Sequence, residues 1–195
     1  MQTDISKTIE QVTAAIGEPA ARYDGLSIVL HWLTAVLVLG LWTLGQTIDF
    51  FAKGTPRIDA RSVHIVLGAT LAGVLIARVL WRTSAGRKLP LASADWIGMT
   101  ARATHYGLYL LLVTTIVLGV LNAWQRGDIL FNVNTIPKLV PGDLAFKRTI
   151  EDLHGDFADV VLIVAGLHAA AALAHHSLLR DSVLRRMLPS WRPNA

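Results

Sequence analysis

The sequence predicts an all-α integral membrane protein, a bundle of four helices, and two observations support this prediction. The chain has 195 residues, of which 53% are hydrophobic and 16% charged, whereas a soluble domain is about one quarter charged. The charged residues are also unevenly distributed, because long uncharged runs alternate with short segments that hold most of the Lys, Arg, Asp and Glu. This alternation is typical of a chain that crosses a membrane several times.

A bilayer core of about 30 Å requires roughly 20 apolar residues in each helix, and four segments are long enough. The predicted spans are residues 26–48, 63–81, 103–125 and 157–179. Arg78 lies near the end of the second span, where its side chain could snorkel to the lipid headgroups. Asp159 falls in the first turn of the fourth span, where a carboxylate suits the helix dipole. The predicted membrane domain covers residues 23–190.

Residues 1–22 are predicted to form a polar N-terminal extension. Asp4, Glu10 and Glu18 interrupt this segment, so it lacks the apolar core of a secretory signal. The termini and the middle loop with its flanks hold eleven Lys and Arg residues, and the other two loops hold seven. The positive-inside rule therefore predicts a multi-pass membrane protein with both termini in the cytoplasm.

Composition also excludes several kinds of site. The chain has no cysteine, which removes thiolate metal sites, iron–sulfur clusters and the covalent attachment of c-type haem. The net charge of +4 is interpreted as membrane-surface anchoring rather than nucleic-acid binding, because the chain is so apolar.

Seven histidines accompany these spans, and a buried imidazole without a partner costs on the order of 2 kcal/mol. Ionisable residues within a membrane span usually have a function. His154 stands just before the predicted start of the fourth span, and His168 lies 14 residues further on. At about 1.5 Å per residue, the two side chains share one helix face and lie about 21 Å apart. This spacing predicts two stacked cofactors rather than one shared metal ion.

Each of these histidines has a predicted partner at its own depth. His64 begins the second span at the same outer boundary as His154. His31 and His168 lie about 13 and 18 Å in from the inner boundary. Two imidazoles on facing helices are the axial ligands that a b-type haem requires. The sequence therefore predicts two haem b groups, one between His64 and His154 and one between His31 and His168.

The roles of three other histidines stay open. His175 shares a helix face with His168 and competes with it for the inner pair, whereas His176 points about 100° away. His105 opens the third span and could complete the inner pair. It could also bind a haem propionate or a quinone oxygen, as could His175. The alternative for all three is a polar side chain solvated at the headgroups.

Basic residues suggest two further contacts. Arg78 and Arg82 are four residues apart and could pair with haem propionates, although snorkelling explains them equally well. The predicted outer loops could attract an anionic donor or could simply be solvated. Their basic residues are Lys53, Arg57, Arg61, Lys147 and Arg148.

Five segments resemble the bacterial cytochrome b561 family, and together they extend over roughly residues 22–190. The segments are SIVLHW at 27–32, VHIVLG at 63–68, HYGLYLLL at 105–112, GLHAAAALAHH at 166–176 and DSVLRRMLP at 181–189. The run at 166–176 is the most specific of them. The resemblance implies a four-helix bundle of the bacterial inner (cytoplasmic) membrane with two b haems. It also implies His31, His64, His154 and His168 as axial ligands, and it favours His168 over His175.

The resemblance further implies a quinone-linked oxidoreductase that takes electrons from an outer donor, superoxide in at least one relative, and reduces ubiquinone or another quinone. The alternative is an electron-transferring membrane subunit of a hydrogenase- or formate-dehydrogenase-like complex, with a redox partner protein. A histidine-lined zinc or copper transporter agrees with the histidine count. It agrees poorly with two pairs of histidines about 20 Å apart.

Overall fold

The computed structural model describes residues 22–90, 96–139 and 142–189, so nearly all of the predicted N-terminal extension lies outside the described residues. Four long helices dominate these ranges, and each is long and apolar enough to cross a membrane. They are α1 (Gly25–Thr47), α2 (Thr55–Ser84), α3 (Trp96–Arg126) and α4 (Leu144–Ser177). Short 3-10 turns follow α1 at Ile48–Phe50 and α4 at Leu184–Met187. The predicted all-α membrane bundle is thereby confirmed.

Three of the helices begin well before their predicted starts. α2 begins at Thr55 rather than residue 63, α3 at Trp96 rather than 103, and α4 at Leu144 rather than 157. Hydropathy detects only the lipid-crossing part of a helix, whereas polar residues extend it when its first turn is capped. Pro56 lies in the first turn of α2, a position where proline favours the start of a helix. In α4 the N-cap carboxylate of Asp143 accepts a hydrogen bond from the Phe146 N–H at 2.8 Å.

The earlier starts correct the predicted positions of four polar residues. His64, His105 and His154 lie about three turns inside their helices instead of at the first residues. Asp159 is in the middle of α4 and not in its first turn, so the helix dipole does not explain it. Its carboxylate instead accepts hydrogen bonds from Trp42 Nε1 at 2.7 Å and Gln46 Nε2 at 3.2 Å, both on α1.

The helices form a ring in which α1 lies along α2 and α3 lies along α4. The two pairs meet less closely, through α2 with α3 and α1 with α4. We call the end that holds the start of α1 and the end of α4 the terminal end, and the opposite end the loop end. Because the tight contacts are within the pairs, the space for a flat group lies between the pairs.

An apolar layer occupies the middle of the bundle. Its buried members come from all four helices and are Leu41, Leu71, Leu75, Leu112 and Val161. On each helix, they lie in sequence between the half at the terminal end and the half at the loop end. This layer therefore separates the polar residues of the two ends.

Asp24 joins two helices at the terminal end. As the N-cap of α1 it accepts hydrogen bonds from the Ser27 N–H at 2.9 Å and the Ser27 hydroxyl at 2.8 Å. Trp81 Nε1 and the Arg87 N–H, from the end of α2 and the segment after it, also donate to it at 2.8 and 3.0 Å. Burial raises the pKa of Asp24, but these four hydrogen bonds outweigh it and hold the pKa far below its ordinary value.

A small hairpin covers part of the loop end. Strands β1 (Ile129–Leu130) and β2 (Asn134–Thr135) pair antiparallel after α3. The hydroxyl of Ser62, a fully buried residue of α2, accepts a hydrogen bond from the Phe131 N–H at 2.8 Å and donates to the Ile58 carbonyl at 2.7 Å. The hairpin is thus attached to α2 two residues before His64.

Candidate functional site

The first candidate site is a pair of imidazoles near the loop end. His64 of α2 and His154 of α4 face each other across the bundle, with their ring centres 6.1 Å apart and their planes at 78°. They come from diagonally opposite helices, so the axis that joins them crosses the space between the two helix pairs. The structure thus brings these two side chains close together.

Each of these rings rests against a glycine of the neighbouring helix. His154 packs on Gly119 of α3, where a Cβ would lie 3.0 Å from the His154 Cε1 atom. The His154 Nδ1–H donates to the Thr115 carbonyl, four residues earlier on α3, at 3.0 Å. This bond orients the ring and leaves Nε2 free to ligate a metal.

His64 of α2 rests against α1 in a similar way. His64 packs on Gly45, where a Cβ would lie 3.4 Å from the His64 Cε1 atom. Nδ1 of His64 is buried and makes no hydrogen bond with a described residue. The two glycines thus play matching parts in the two helix pairs.

The second candidate site is a cluster of three imidazoles near the terminal end. His31 of α1 and His168 of α4 lie with ring centres 6.4 Å apart and planes at 74°. His105 of α3 is closer to His168, at 5.1 Å. His168 lies 14 residues from His154 along α4, so the two sites are separated by about 21 Å.

Arg78 of α2 belongs to this cluster. Its Nη2 group donates to Nδ1 of His31 at 2.9 Å, and its guanidinium lies over the ring of Tyr109 at 5.6 Å. The Arg78 Nε–H and the Tyr109 hydroxyl are both buried without a hydrogen-bond partner among the described residues. A buried cation with no anion beside it is costly, which favours an anionic or polar group that binds there.

The remaining candidates form no hydrogen bond or ring contact with the imidazoles of the two sites. The Arg82 guanidinium lies over the Tyr23 ring at 5.6 Å. His175 contacts Asp181 through Nδ1 at 2.5 Å, after the end of α4. Partial burial raises the pKa of Asp181, but the Val183 N–H and the His175 ring hold it below its usual value. His176 makes no hydrogen bond through its buried Nδ1 atom.

The separations within the His64–His154 pair and within the His31–His168 pair suit an iron porphyrin. A metal–imidazole bond of about 2.0 Å, with about 1.1 Å from the ligating nitrogen to the ring centre on each side, requires centres roughly 6.2 Å apart. The observed 6.1 and 6.4 Å match this requirement, whereas the 5.1 Å between His105 and His168 is too short. Among the described residues, no three His, Cys, Asp or Glu side chains converge on a point that could hold a single metal ion.

Space beside the ligands also suits a flat group. Gly68 lies one turn after His64 on the same face of α2, and a Cβ added there would meet no atom within 4 Å. This glycine therefore does not serve close helix packing, the usual reason for small residues in membrane helices. Gly68 therefore marks unfilled space next to the loop-end pair.

Sequence reasoning missed the contributions of Gly45, Gly119 and Thr115. The signal was present, since Gly45 and Gly119 each lie near the loop end of an uncharged span. The role of these glycines depends on which face of α1 and α3 contacts a histidine of the next helix. The rotation of each helix about its axis sets that face, and residue spacing within one segment does not reveal it.

The chain is similar to known bacterial cytochromes over most of its length. A family model described as prokaryotic cytochrome b561 matches residues 22–190. The "Probable superoxide oxidase CybB" of Yersinia pestis is 29% identical over 175 residues, which cover 88% of this chain and 98% of that protein. "Cytochrome b561 homolog 2" of Escherichia coli (strain K12) is 31% identical over 173 residues, which cover 86% of this chain and 91% of that protein. "Cytochrome b562" of Cereibacter sphaeroides is 25% identical over 171 residues, with 85% and 94% covered.

Proposed function

Because the chain belongs to the prokaryotic cytochrome b561 family, we propose that it binds two b-type haems and transfers electrons from a donor outside the cytoplasm to a membrane quinone. The family makes it a membrane electron-transfer protein with b-type haem. The number of haems, the donor and the quinone are parts of the proposal. The observation that carries it is the presence of two imidazole pairs, at two levels, with ring-centre separations of 6.1 and 6.4 Å.

We assign His64 and His154 to the loop-end haem and His31 and His168 to the terminal-end haem. The separation of each pair supports the assignment, and it disfavours His105 as the partner of His168. His175 is engaged by Asp181 and has no imidazole facing it among the described residues. The choice of His168 over His175, which helix spacing alone leaves open, thus has a structural argument.

Held by these imidazoles, haem would supply one-electron redox chemistry. The chain contributes the rest. Thr115 and Gly119 orient the His154 ring. Arg78 lies against Nδ1 of His31; because a neutral imidazole that ligates iron through Nε2 carries its proton on Nδ1, the guanidinium would have to leave this nitrogen when haem binds. The apolar layer around Leu71 and Leu112 keeps water from the middle of the bundle. These features suit movement of electrons between two sites without a path for protons through the core.

A small anionic donor fits the loop end. We place this end outside the cytoplasm, in agreement with the distribution of Lys and Arg. Arg57 pairs with Asp49, and Arg61 and Arg126 pair with Asp128. These pairs account for part of the basic charge that the sequence places there.

The charge left over is the part that could attract an anion. Lys53, Lys147 and Arg148 have no ion pair with any described residue, so their charge could steer an anion towards the loop-end site. Superoxide is the candidate, because a relative matched over 98% of its length is named a probable superoxide oxidase. The same near-complete match favours a self-standing oxidoreductase over a subunit of a larger dehydrogenase.

Optical spectroscopy with haem quantification tests the proposal. Wild-type protein should contain about two haems per chain, and His64→Ala and His168→Ala should each lose a different one. His176→Ala is the matched control, since His176 faces no other imidazole, and it should keep both haems. Superoxide should then drive quinone reduction by the wild type. A wild-type protein with one haem or none, or a haem-replete protein that leaves quinone oxidised, would contradict the proposal.

A further inference from the structure

A groove of about 580 Å³ opens between α1 and α4 towards the loop end. It is lined by two aromatic, two aliphatic and three polar side chains, namely Trp42, Phe50, Leu162, Ile163, Gln46, Thr47 and Asp159. Its volume lies in the range of about 300–1,000 Å³ that is usual for small-molecule sites. Phe50 and Ile163 are 85% and 61% exposed. Because both helices are membrane-spanning, such a groove on the outside of the bundle opens to the lipid.

The polar groups of the groove form a hydrogen-bonded unit that is incomplete. Asp159 Oδ1 accepts from Trp42 Nε1 at 2.7 Å and from Gln46 Nε2 at 3.2 Å. No described residue donates to Asp159 Oδ2, and Asp159 has no ion pair in the described part of the chain. The Gln46 amide likewise keeps a second N–H and a carbonyl oxygen that bond no described residue. A carboxylate within a membrane helix is energetically costly, and its presence there usually indicates a function.

We propose that this groove binds the quinone headgroup, an inference that rests on the proposed function. A quinone offers two carbonyl acceptors, and the quinol formed from it offers two hydroxyl donors. The Gln46 amide can donate to the first and accept from the second, and Asp159 Oδ2 can accept from a quinol hydroxyl. The flat ring fits against Trp42 and Phe50, and the apolar tail lies along Leu162 and Ile163.

The groove lies at about the same level along the bundle as the loop-end histidine pair. Gln46 directly follows Gly45, which packs on the His64 ring. Asp159 is five residues from His154, about 7.5 Å along the axis of α4. A quinone in the groove could therefore accept electrons close to the loop-end site and exchange with the membrane pool by lateral diffusion.

The reaction balances with the reactants of the proposed function. Two superoxide anions lose one electron each and become two molecules of dioxygen. One quinone gains these two electrons and two protons and becomes quinol. Asp159 passes the protons from water at the groove mouth to the quinone oxygens, and Gln46 holds one of these oxygens by a hydrogen bond.

The test follows the reoxidation of chemically reduced, haem-replete protein in lipid nanodiscs after mixing with a short-chain ubiquinone without oxygen. Gln46→Leu removes one hydrogen bond and should raise the half-saturating quinone concentration about 2- to 10-fold. Asp159→Asn should slow reoxidation at saturating quinone at least about tenfold, because it removes a proton-transfer group. Thr43→Ala and Val160→Ala change exposed neighbours outside the groove and should match the wild type.

A second measurement uses the wild type alone, in case Asp159→Asn does not fold. A photoreactive quinone analogue should label the peptides that contain Trp42 and Ile163, and free quinone should suppress the labelling. Labelling elsewhere, or suppression by phosphatidylethanolamine but not by quinone, would overturn the inference.

The failure of this inference and that of the proposed function are distinguishable. If quinone reoxidises the wild type and both groove variants equally well, the quinone site lies elsewhere and the proposed function survives. If quinone does not reoxidise even the wild type, both proposals fail.

Discussion

Gly119→Ala tests whether the close contact between Gly119 and the His154 ring orients a haem ligand. The added Cβ would lie 3.0 Å from His154 Cε1 and 3.4 Å from Nδ1. Carbon atoms in good contact are about 3.5–4.0 Å apart, so the ring must retreat by about 0.5 Å or rotate. Either movement strains the 3.0 Å bond from the His154 Nδ1–H to the Thr115 carbonyl.

The expected loss follows from that bond. A hydrogen bond contributes about 0.5–1.5 kcal/mol net, which corresponds to about a 2- to 12-fold weaker hold on the loop-end haem. The assay measures the rate at which the protein transfers haem to excess apomyoglobin, together with the electron paramagnetic resonance spectrum of the low-spin haem.

Gly45→Ala is the matched control. Its Cβ would lie 3.4 Å from His64 Cε1, which is ordinary contact. Both variants gain about the same helix propensity, up to about 1 kcal/mol, so their difference isolates the contact. Gly45→Ala should hold haem like the wild type. If Gly119→Ala loses haem no faster than Gly45→Ala and has the same spectrum, the reasoning about the Gly119 contact is refuted.

Two further predictions concern charges at the terminal end. Arg78→Gln removes the cation beside the terminal-end imidazoles; for a separation of about 7 Å from iron and an effective dielectric of about 20, this should lower the midpoint potential of one haem by on the order of 100 mV. In a redox titration Arg82→Gln should change the potential less, and an unmoved potential in Arg78→Gln would count against a cation close to this site. Asp24 has a folded-state pKa below its ordinary 3.8, so its stabilisation is present above about pH 4 and is lost as the pH falls further. Asp24→Asn should therefore be less stable at pH 7 by about 1–2 kcal/mol and less sensitive to acid between pH 5 and 3 in thermal unfolding; equal acid sensitivity of the two proteins would count against this role.

The sequence by itself determined the four membrane spans and the histidines that are candidate haem ligands. A span is a local property, because each helix needs enough consecutive apolar residues to cross the lipid. The 14-residue spacing of His154 and His168 determined that the two sites lie at different depths, since the rise per residue is constant within one helix.

Only the tertiary structure decided which side chains meet. His168 has both His31 and His105 within reach, and the ring-centre distances of 6.4 and 5.1 Å distinguish them. The contact of Arg78 with His31, the glycine contacts at His64 and His154, and the contact of Asp159 with Trp42 each join two helices. Such contacts depend on the rotation and axial shift of one helix against another. Side-chain packing across the whole bundle sets these quantities, so no pattern within a single helix contains them.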